Sequence, residues 1–155
     1  MSELNLPQYD IRMRTREDGR CEVWDILRRR YVALTPEEWV RQNFIQYLIN
    51  EKGYPSALMT NEVQITIGGK QLRCDSILYN KHTQPVMVME YKAPTVAVSQ
   101  KTFNQVVAYN QLLKVRYIIV SNGLHHYCCH INYDSMKVEF LNDIPEYGKL
   151  KIEIT

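Results

Sequence analysis

The sequence has few cysteines and no long apolar segment. Four cysteines occur among 155 residues, none of them in a C-x-x-C pair, and the N-terminus lacks the apolar stretch of a secretory signal. No apolar run approaches the roughly 20 residues that a membrane-spanning helix needs. We therefore expect neither a disulfide-rich secreted domain nor a membrane protein. The pattern predicts a cytoplasmic protein with reduced thiols.

The chain also lacks a strong excess of either charge. It has 19 basic and 17 acidic residues, which gives a net charge of +2. If the protein binds a polyanion, the basic groups that do so must be clustered locally. Hydrophobic residues make up 45% of the chain, which is typical of a globular protein, and the length suits one domain with a core.

The chain divides into a short polar segment and one longer domain. Residues 1–20 predict an N-terminal arm without regular structure, and residues 21–155 predict a single domain. Residues 21–34, "CEVWDILRRRYVAL", alternate apolar and polar side chains and predict a β-hairpin. Arg28–Arg30 fall at or near its turn. Such a run is most often a solvated turn, although in a nuclease it could contact phosphates.

The next segment carries strong helix signals. Thr35 is placed to cap the N-terminus, Pro36 suits the first helical position, and Glu38 completes a capping box. Gly53 and Pro55 predict the end of the helix.

The remaining pattern predicts a mixed β-sheet. A Gly-Gly turn separates the first two strands, and a nearly continuous apolar strand follows the second helix, as expected for a strand buried on both faces. The elements after the first helix are strands at 61–67, 71–80 and 85–93, a helix at 99–114, and strands at 115–123, 124–133 and 137–142.

Charged residues interrupt an apolar strand at residues 86–95, "VMVMEYKAPT". Glu90 and Lys92 share one face of that strand, where burying unpaired charges would be costly. Asp75 lies in the preceding strand, and its carboxylate would meet that of Glu90 if the two strands pair. Two carboxylates suit Mg²⁺, with the backbone carbonyl of Tyr91 as a further ligand. Lys92 could then position or deprotonate an attacking water and offset charge on a phosphate.

These residues resemble a known superfamily. Asp…Glu-x-Lys on adjacent strands, in the order α-β-β-β-α-β, resembles the PD-(D/E)XK nucleases. "TPEEWVRQNFIQYL", "RCDSILYN", "MEYKAP" and "FNQVVAYNQ" resemble the N-terminal domain of type I restriction enzyme R subunits and its stand-alone relatives, over about residues 20–130. "RCD" stands where the superfamily often has proline before the aspartate.

The resemblance implies a fold and an activity. The fold would be α/β, with a restriction-endonuclease-like core in which helices flank a mixed central sheet. The activity would be Mg²⁺-dependent hydrolysis of DNA, with Mn²⁺ as a substitute. Because the sequence contains no Walker-type ATP-binding motif, a separate motor or specificity subunit is a further candidate partner.

The resemblance also implies roles for single residues. Asp75 and Glu90 would be metal ligands, and Lys92 would be the catalytic lysine. Gln105 and Tyr109 match a Q-x-x-x-Y helix element of RecB-like members, and their i, i+4 spacing places them on one helix face. They could reach the site or a DNA phosphate.

The first helix would supply an acid that completes the metal site. Glu38 matches this role, and Glu37 competes with it, since one turn of helix does not fix which acid faces inward. Simpler interpretations remain for each group. The capping box alone explains Glu38, a helix hydrogen-bond pair explains the glutamine and tyrosine, and an ion-pair cluster at a sheet edge explains the Asp–Glu–Lys set.

Residues 125–130, "HHYCCH", do not form a convincing zinc motif. Adjacent cysteines on a strand point to opposite faces, and the spacing fits no common zinc module.

The motifs described above favour a nuclease. A non-catalytic nucleic-acid-binding or assembly module of the same fold is the alternative, and an interaction domain without a nucleic-acid role is a third hypothesis.

Overall fold

The protein, described here from a computed structural model over residues 1–152, contains two β-sheets and two α-helices. The elements in chain order are β1 (Met13–Thr15), β2 (Cys21–Asp25), β3 (Arg30–Ala33), α1 (Pro36–Lys52), β4 (Met59–Ile67), β5 (Lys70–Tyr79), β6 (Pro85–Tyr91), α2 (Gln100–Asn110), β7 (Tyr117–Ser121), β8 (His126–Asn132) and β9 (Lys137–Leu141).

The larger sheet has six strands in the order β4-β5-β6-β7-β8-β9. Neighbouring strands run antiparallel except β6 and β7, which are parallel and are connected through α2. A parallel pair needs such a crossover connection. The predicted mixed sheet with the order α-β-β-β-α-β is confirmed.

The two helices cover opposite faces of this sheet. Met87 and Met89 of β6 belong to the core beneath α1, whereas Val88 belongs to the core beneath α2. Cys128 and Cys129 likewise contribute to different cores, as predicted from strand alternation. Strand β6 is therefore buried on both sides before it reaches its charged end.

Local sequence signals account for the ends of α1. The Oγ1 of Thr35 accepts a hydrogen bond from the backbone N–H of Glu38 at 3.1 Å, and Gly53 ends the helix with a φ of 73°. The carboxylate of Glu38 binds arginine side chains instead of the N–H of its cap residue. Only one half of the predicted capping box is therefore present.

Two elements differ from the sequence-based prediction. Residues 13–15, predicted as part of an irregular arm, form β1 and pair with β2. This pairing gives three exposed residues a strand conformation that their pattern does not indicate. The helix predicted to reach Lys114 ends at Asn110, which is buried and donates its side-chain N–H to the carbonyl of Val106. A 3₁₀ turn follows, and Lys114 is left-handed.

The turn between β2 and β3 is held by one buried carboxylate. Asp25 is fully buried, and its Oδ1 accepts hydrogen bonds from the backbone N–H groups of Leu27 and Arg28 at 2.8 and 2.9 Å. Its Oδ2 also receives the Arg28 guanidinium, and the side-chain amide of Asn61 donates to both oxygens at 3.1 Å. The hairpin predicted around Arg28–Arg30 is thus confirmed and fixed to β4.

Among residues 1–152, no helix is both long enough and apolar enough to cross a bilayer.

Replacing Asp25 with alanine should destabilise the fold. Burial alone would raise the pKa of Asp25, but hydrogen bonds from Arg28 and Asn61 outweigh it and hold that pKa below its usual value. Removing one partner of such a buried pair costs about 3 kcal/mol. We expect denaturant melts to show this loss for Asp25→Ala, whereas Asp10→Ala, at an exposed site, should change stability by less than about 0.5 kcal/mol. Equal losses in both variants would contradict the assignment.

The cysteines should differ sharply in reactivity. Cys21 is exposed, whereas burial raises the pKa of Cys74 to about 12 and that of Cys129 to about 11 and also raises the pKa of Cys128. Because the thiolate is the reactive form, one thiol should react quickly in the native protein and three only after unfolding. Elemental analysis should find no stoichiometric zinc. More than one fast thiol, or bound zinc, would show that the packing is different.

Candidate functional site

The charged end of β6 lies beside a matching acid on β5. The antiparallel register pairs Ser76 with Met89, and its continuation sets Asp75 opposite Glu90. Here the ladder changes, because the backbone N–H of Tyr91 donates to the Oδ2 of Asp75 at 2.9 Å. The Asp75 carboxylate thus accepts a hydrogen bond that a backbone carbonyl would accept in a regular ladder, and it lies at the end of the β5–β6 pair.

The carboxyl group of Asp75 lies close enough to that of Glu90 to perturb the pKa of Glu90 strongly. Burial raises the pKa of Glu90 first, and the adjacent Asp75 carboxylate raises it further, to about 9. Lys92 acts in the opposite direction and lowers it. The structure therefore brings these three side chains together, as predicted, while their chemical roles stay predictions.

These side chains open into a broad cleft of about 670 Å³ between the larger sheet, α1 and the β2–β3 hairpin. Five acidic and five basic side chains line it. The charged residues that line it are Glu37, Glu38, Glu62, Asp75, Glu90, Arg28, Arg30, Arg41, Arg73 and Lys92.

Arg41 organises one wall of the cleft. Its guanidinium donates to the backbone carbonyl of Asp75 at 3.2 Å and pairs with Glu38 at 3.3 Å and with Glu62. Burial alone would lower the pKa of Arg41, but these carboxylates raise it above its usual value. Neither Arg41 nor Glu62 was predicted from the sequence as a residue of the site. The only local signal was that Arg41 follows Glu38 by three positions on one helix face.

Glu62 lies in a strained part of β4. Its φ is 55°, in the left-handed region that non-glycine residues rarely adopt. The ladder pairs Asn61 with Ser76 and Val63 with Cys74 but omits the residues between them. This irregularity accompanies the ion pairs of Glu62 with Arg41 and, at 3.2 Å, with Arg73.

Glu38, predicted as a metal ligand, has a different set of neighbours. Its Oε1 accepts from Arg28 at 2.8 Å, and its Oε2 accepts from Gln42 at 3.0 Å and contacts Arg41. Glu37 is exposed, lines the same cleft and has no ion pair within residues 1–152. Across those residues, no three His, Cys, Asp or Glu side chains converge as a ready-made metal site.

The α2 side of the site holds the predicted glutamine and tyrosine. A second cavity of about 260 Å³ is lined by Gln105 and Tyr109 together with Glu90 and Lys92. The Tyr109 hydroxyl accepts a hydrogen bond from the backbone N–H of Arg73 at 2.6 Å, and the residue is 41% exposed. The helix element therefore faces the Glu-x-Lys end of β6.

The donors present at the strand ends fit a hard divalent cation. Asp75 and Glu90 offer carboxylate oxygens, and the main chain of Tyr91 lies directly beside them. Mg²⁺ prefers oxygen ligands and retains several waters, so two carboxylates suffice for it. Burial and the neighbouring Asp75 raise the pKa of Glu90 although Lys92 lowers it, so Lys92 offsets these effects only in part.

Comparison with known proteins identifies the family. A protein-family model, described as the type I restriction enzyme R protein N terminus (HSDR_N), matches residues 36–145, most of the chain. The chain belongs to this family. The matched range contains every site residue that the sequence analysis selected.

A solved structure has a similar fold. It is a fragment assigned as an HsdR subunit of a type I restriction enzyme from Vibrio vulnificus YJ016, with a TM-score of 0.52 and 21% identity. The match covers 72% of this chain and 24% of that one, so the chain spans about a quarter of the length of the fragment. The likeness supports the restriction-endonuclease-like α/β fold. No curated protein matches the chain.

The pH dependence of stability should identify Glu90 as the titrating group. In metal-free solution, Glu90 stays protonated in the folded state up to about pH 9, whereas in the unfolded state it ionises near its ordinary pKa. Stability should therefore fall as pH rises between those two pKa values. Glu90→Gln should remove this loss and melt at a higher temperature than wild type at about pH 8, with the gap closing near pH 4.

Thermal melts with EDTA across this pH range provide the measurement, with Glu51→Gln on the exposed side of α1 as the matched control. The same temperature difference at both ends of the range would assign the effect to packing and not to titration. Added Mg²⁺ should raise the melting temperature of wild type more than that of Glu90→Gln, because the variant lacks one charged oxygen ligand.

Proposed function

We propose that the protein is a Mg²⁺-dependent nuclease that hydrolyses phosphodiester bonds in DNA. The observation that carries the proposal is the juxtaposition of Asp75, Glu90 and Lys92 at the end of two paired strands, inside a cleft rimmed by arginines. Membership of the R protein N-terminus family supports it. We propose the cytoplasm as the place of action and a motor or specificity subunit as a further partner.

The proposed ligands are the carboxylates of Asp75 and Glu90 and the backbone carbonyl of Tyr91, with Mn²⁺ able to replace Mg²⁺. A bound divalent cation supplies a Lewis acid that activates water and neutralises charge on the phosphate. Glu38 is left out of this set because arginines occupy its carboxylate. Glu37 is the first-helix acid that remains available in the cleft.

The other residues act on the phosphate and on the water. Lys92 places an ammonium group beside the Glu90 carboxylate, where it can hold or move a proton and offset charge that develops on the phosphate. Gln105 and Tyr109 line the adjoining cavity and would contact the phosphate backbone as it leaves the cleft.

A non-catalytic DNA-binding or assembly module of the same fold is the second candidate. The observation that favours it is that only two carboxylates meet at the site, while Glu38 is held by Arg28 and Arg41. Such a module would bind DNA without cutting it unless a partner completed the site.

Lys92→Ala should abolish cleavage and leave the fold and DNA binding largely intact. Its proposed role concerns the rate of the chemical step, so the loss should be at least about 100-fold in rate. Asp75→Ala should also lose cleavage and weaken Mg²⁺ binding, because it removes a charged ligand. Cleavage of plasmid and single-stranded DNA with Mg²⁺, Mn²⁺ or EDTA provides the test.

Lys81→Ala, an exposed lysine in the β5–β6 turn at the other end of the strand pair, is the matched control and should cut at the wild-type rate. If Lys92→Ala cuts as fast as wild type, the catalytic assignment is wrong. If wild type binds DNA but never cuts it under any of these conditions, the non-catalytic module replaces the nuclease.

A further inference from the structure

The positive charge of the chain is concentrated in one segment. Residues 12–30 contain seven arginines and four acidic residues, a net charge of +3, whereas the whole chain carries +2. The rest of the chain is therefore slightly acidic. This basic segment forms β1, β2 and the turn into β3, and it lies outside the range 36–145 that the family model matches.

The three arginines of the β2–β3 turn have different environments. Arg28 is largely buried and is bound by Asp25 and Glu38, so it stabilises the fold. Arg29 and Arg30 are exposed, and neither side chain makes an ion pair or hydrogen bond within residues 1–152. These two guanidinium groups remain available to an external anion.

The backbone holds Arg29 in an unfavourable conformation. Its φ is 54°, in the left-handed region that favours glycine, and its N–H donates to the carbonyl of Asp25 at 2.8 Å. The side chain of Asp25 also accepts from the backbone N–H groups of Leu27 and Arg28, so the turn has one fixed shape. A charged side chain thus occupies a position where glycine would be less strained, and the turn holds it exposed at the surface.

Arg30 connects this turn to the site. It lines the same cleft as Asp75, Glu90 and Lys92. The other arginines of the cleft are paired with carboxylates, as Arg41 is. Within the described residues, Arg30 and Lys92 are therefore the cleft-lining cations without an ion pair.

The outer face of the small sheet does not offer a surface for stacking bases. The guanidinium of Arg12 lies 4.9 Å from the ring centre of Trp24, and that of Arg14 lies 3.9 Å from the ring centre of Tyr31. These rings are already covered, and Arg14 also pairs with Glu22 at 2.8 Å. A single strand that binds by base stacking would find no free ring here.

We propose that the β2–β3 turn is a binding site for the phosphate backbone of duplex DNA, through Arg29 and Arg30. Guanidinium groups bind phosphate oxygens in pairs of hydrogen bonds and read no base sequence. Arg30 would hold the backbone at the mouth of the cleft, and Arg29 would bind a neighbouring phosphate further out. This inference rests on the proposed function for the identity of the polyanion.

The test is the binding of a labelled duplex by Arg29→Ala/Arg30→Ala, followed by fluorescence anisotropy in EDTA. Each phosphate contact contributes about 0.9 to the slope of log affinity against log salt, so losing two should make the slope shallower by about 2. Over about 50 to 200 mM salt, the variant should also bind roughly tenfold or more weakly.

Two further variants separate charge from structure. Lys81→Ala/Lys137→Ala removes the same charge from exposed positions in the β5–β6 turn and on β9, and it should leave the slope unchanged. Arg29→Lys/Arg30→Lys keeps the charge and should keep the wild-type salt slope, with part of the affinity lost because an ammonium group cannot make the paired hydrogen bonds of a guanidinium. The inference is overturned if the lysine variant has the same shallow slope as the alanine variant, or if the control lowers the slope equally.

The binding assay separates this inference from the nuclease proposal. If wild type binds the duplex without cutting it and the alanine variant loses two phosphate contacts, the turn binds DNA although the nuclease function falls. If Lys92→Ala stops cleavage while Arg29→Ala/Arg30→Ala binds like wild type, the nuclease stands and the turn is not the binding site. A wild type that fails to bind the duplex at about 50 mM salt also overturns the inference.

Discussion

The repulsion between the adjacent carboxyl groups of Asp75 and Glu90 is the constraint on which the site depends. Burial removes the water that would screen the two charges, so Glu90 retains its proton up to about pH 9. The strand pair cannot separate them, because the N–H of Tyr91 holds Asp75 in place and Arg41 binds its backbone carbonyl. The fold therefore maintains a pair that a proton or a cation would neutralise, and this is the physical reason for proposing a hard divalent ion there.

The surrounding arginines bind the two other buried or half-buried acids of the cleft, Glu38 and Glu62, and leave the Asp75–Glu90 pair without such a partner within residues 1–152. Arg41 bridges Glu38 and Glu62, and these two carboxylates also receive Arg28 and Arg73. Ion pairs of this kind neutralise the walls of the cleft, so a metal ion gains little there. The single positive charge of Lys92 is not enough to neutralise two carboxylates. Charge balance, more than the number of acids, thus selects the position that a cation would occupy.

Local rules predicted the fold well, whereas contacts between distant segments decided the details of the site. Strand alternation and motif order were enough to predict that Asp75 lies beside Glu90, and capping signals predicted the position of α1. The role of Glu38 could not be predicted, because its partner Arg28 comes from a hairpin whose position depends on the buried Asp25. The strand at residues 13–15 was missed for a similar reason, since it forms by pairing with β2 and not from its own pattern.

Buried hydrogen bonds connect the N-terminal three-stranded sheet to the part of the chain that the family model matches. The amide of Asn61 donates to Asp25, its carbonyl accepts from Ser76, and Ser76 accepts from the hydroxyl of Tyr91. Tyr91 also gives its N–H to the Asp75 carboxylate. These buried hydrogen bonds extend from the β2–β3 turn to β6, the strand that carries Glu-x-Lys. Leaving one of these buried polar groups without a hydrogen-bond partner would be costly. The hydrogen bonds that position the carboxylate pair therefore also fix its distance from the β2–β3 turn. A DNA backbone bound at this turn would then meet the site in one fixed alignment.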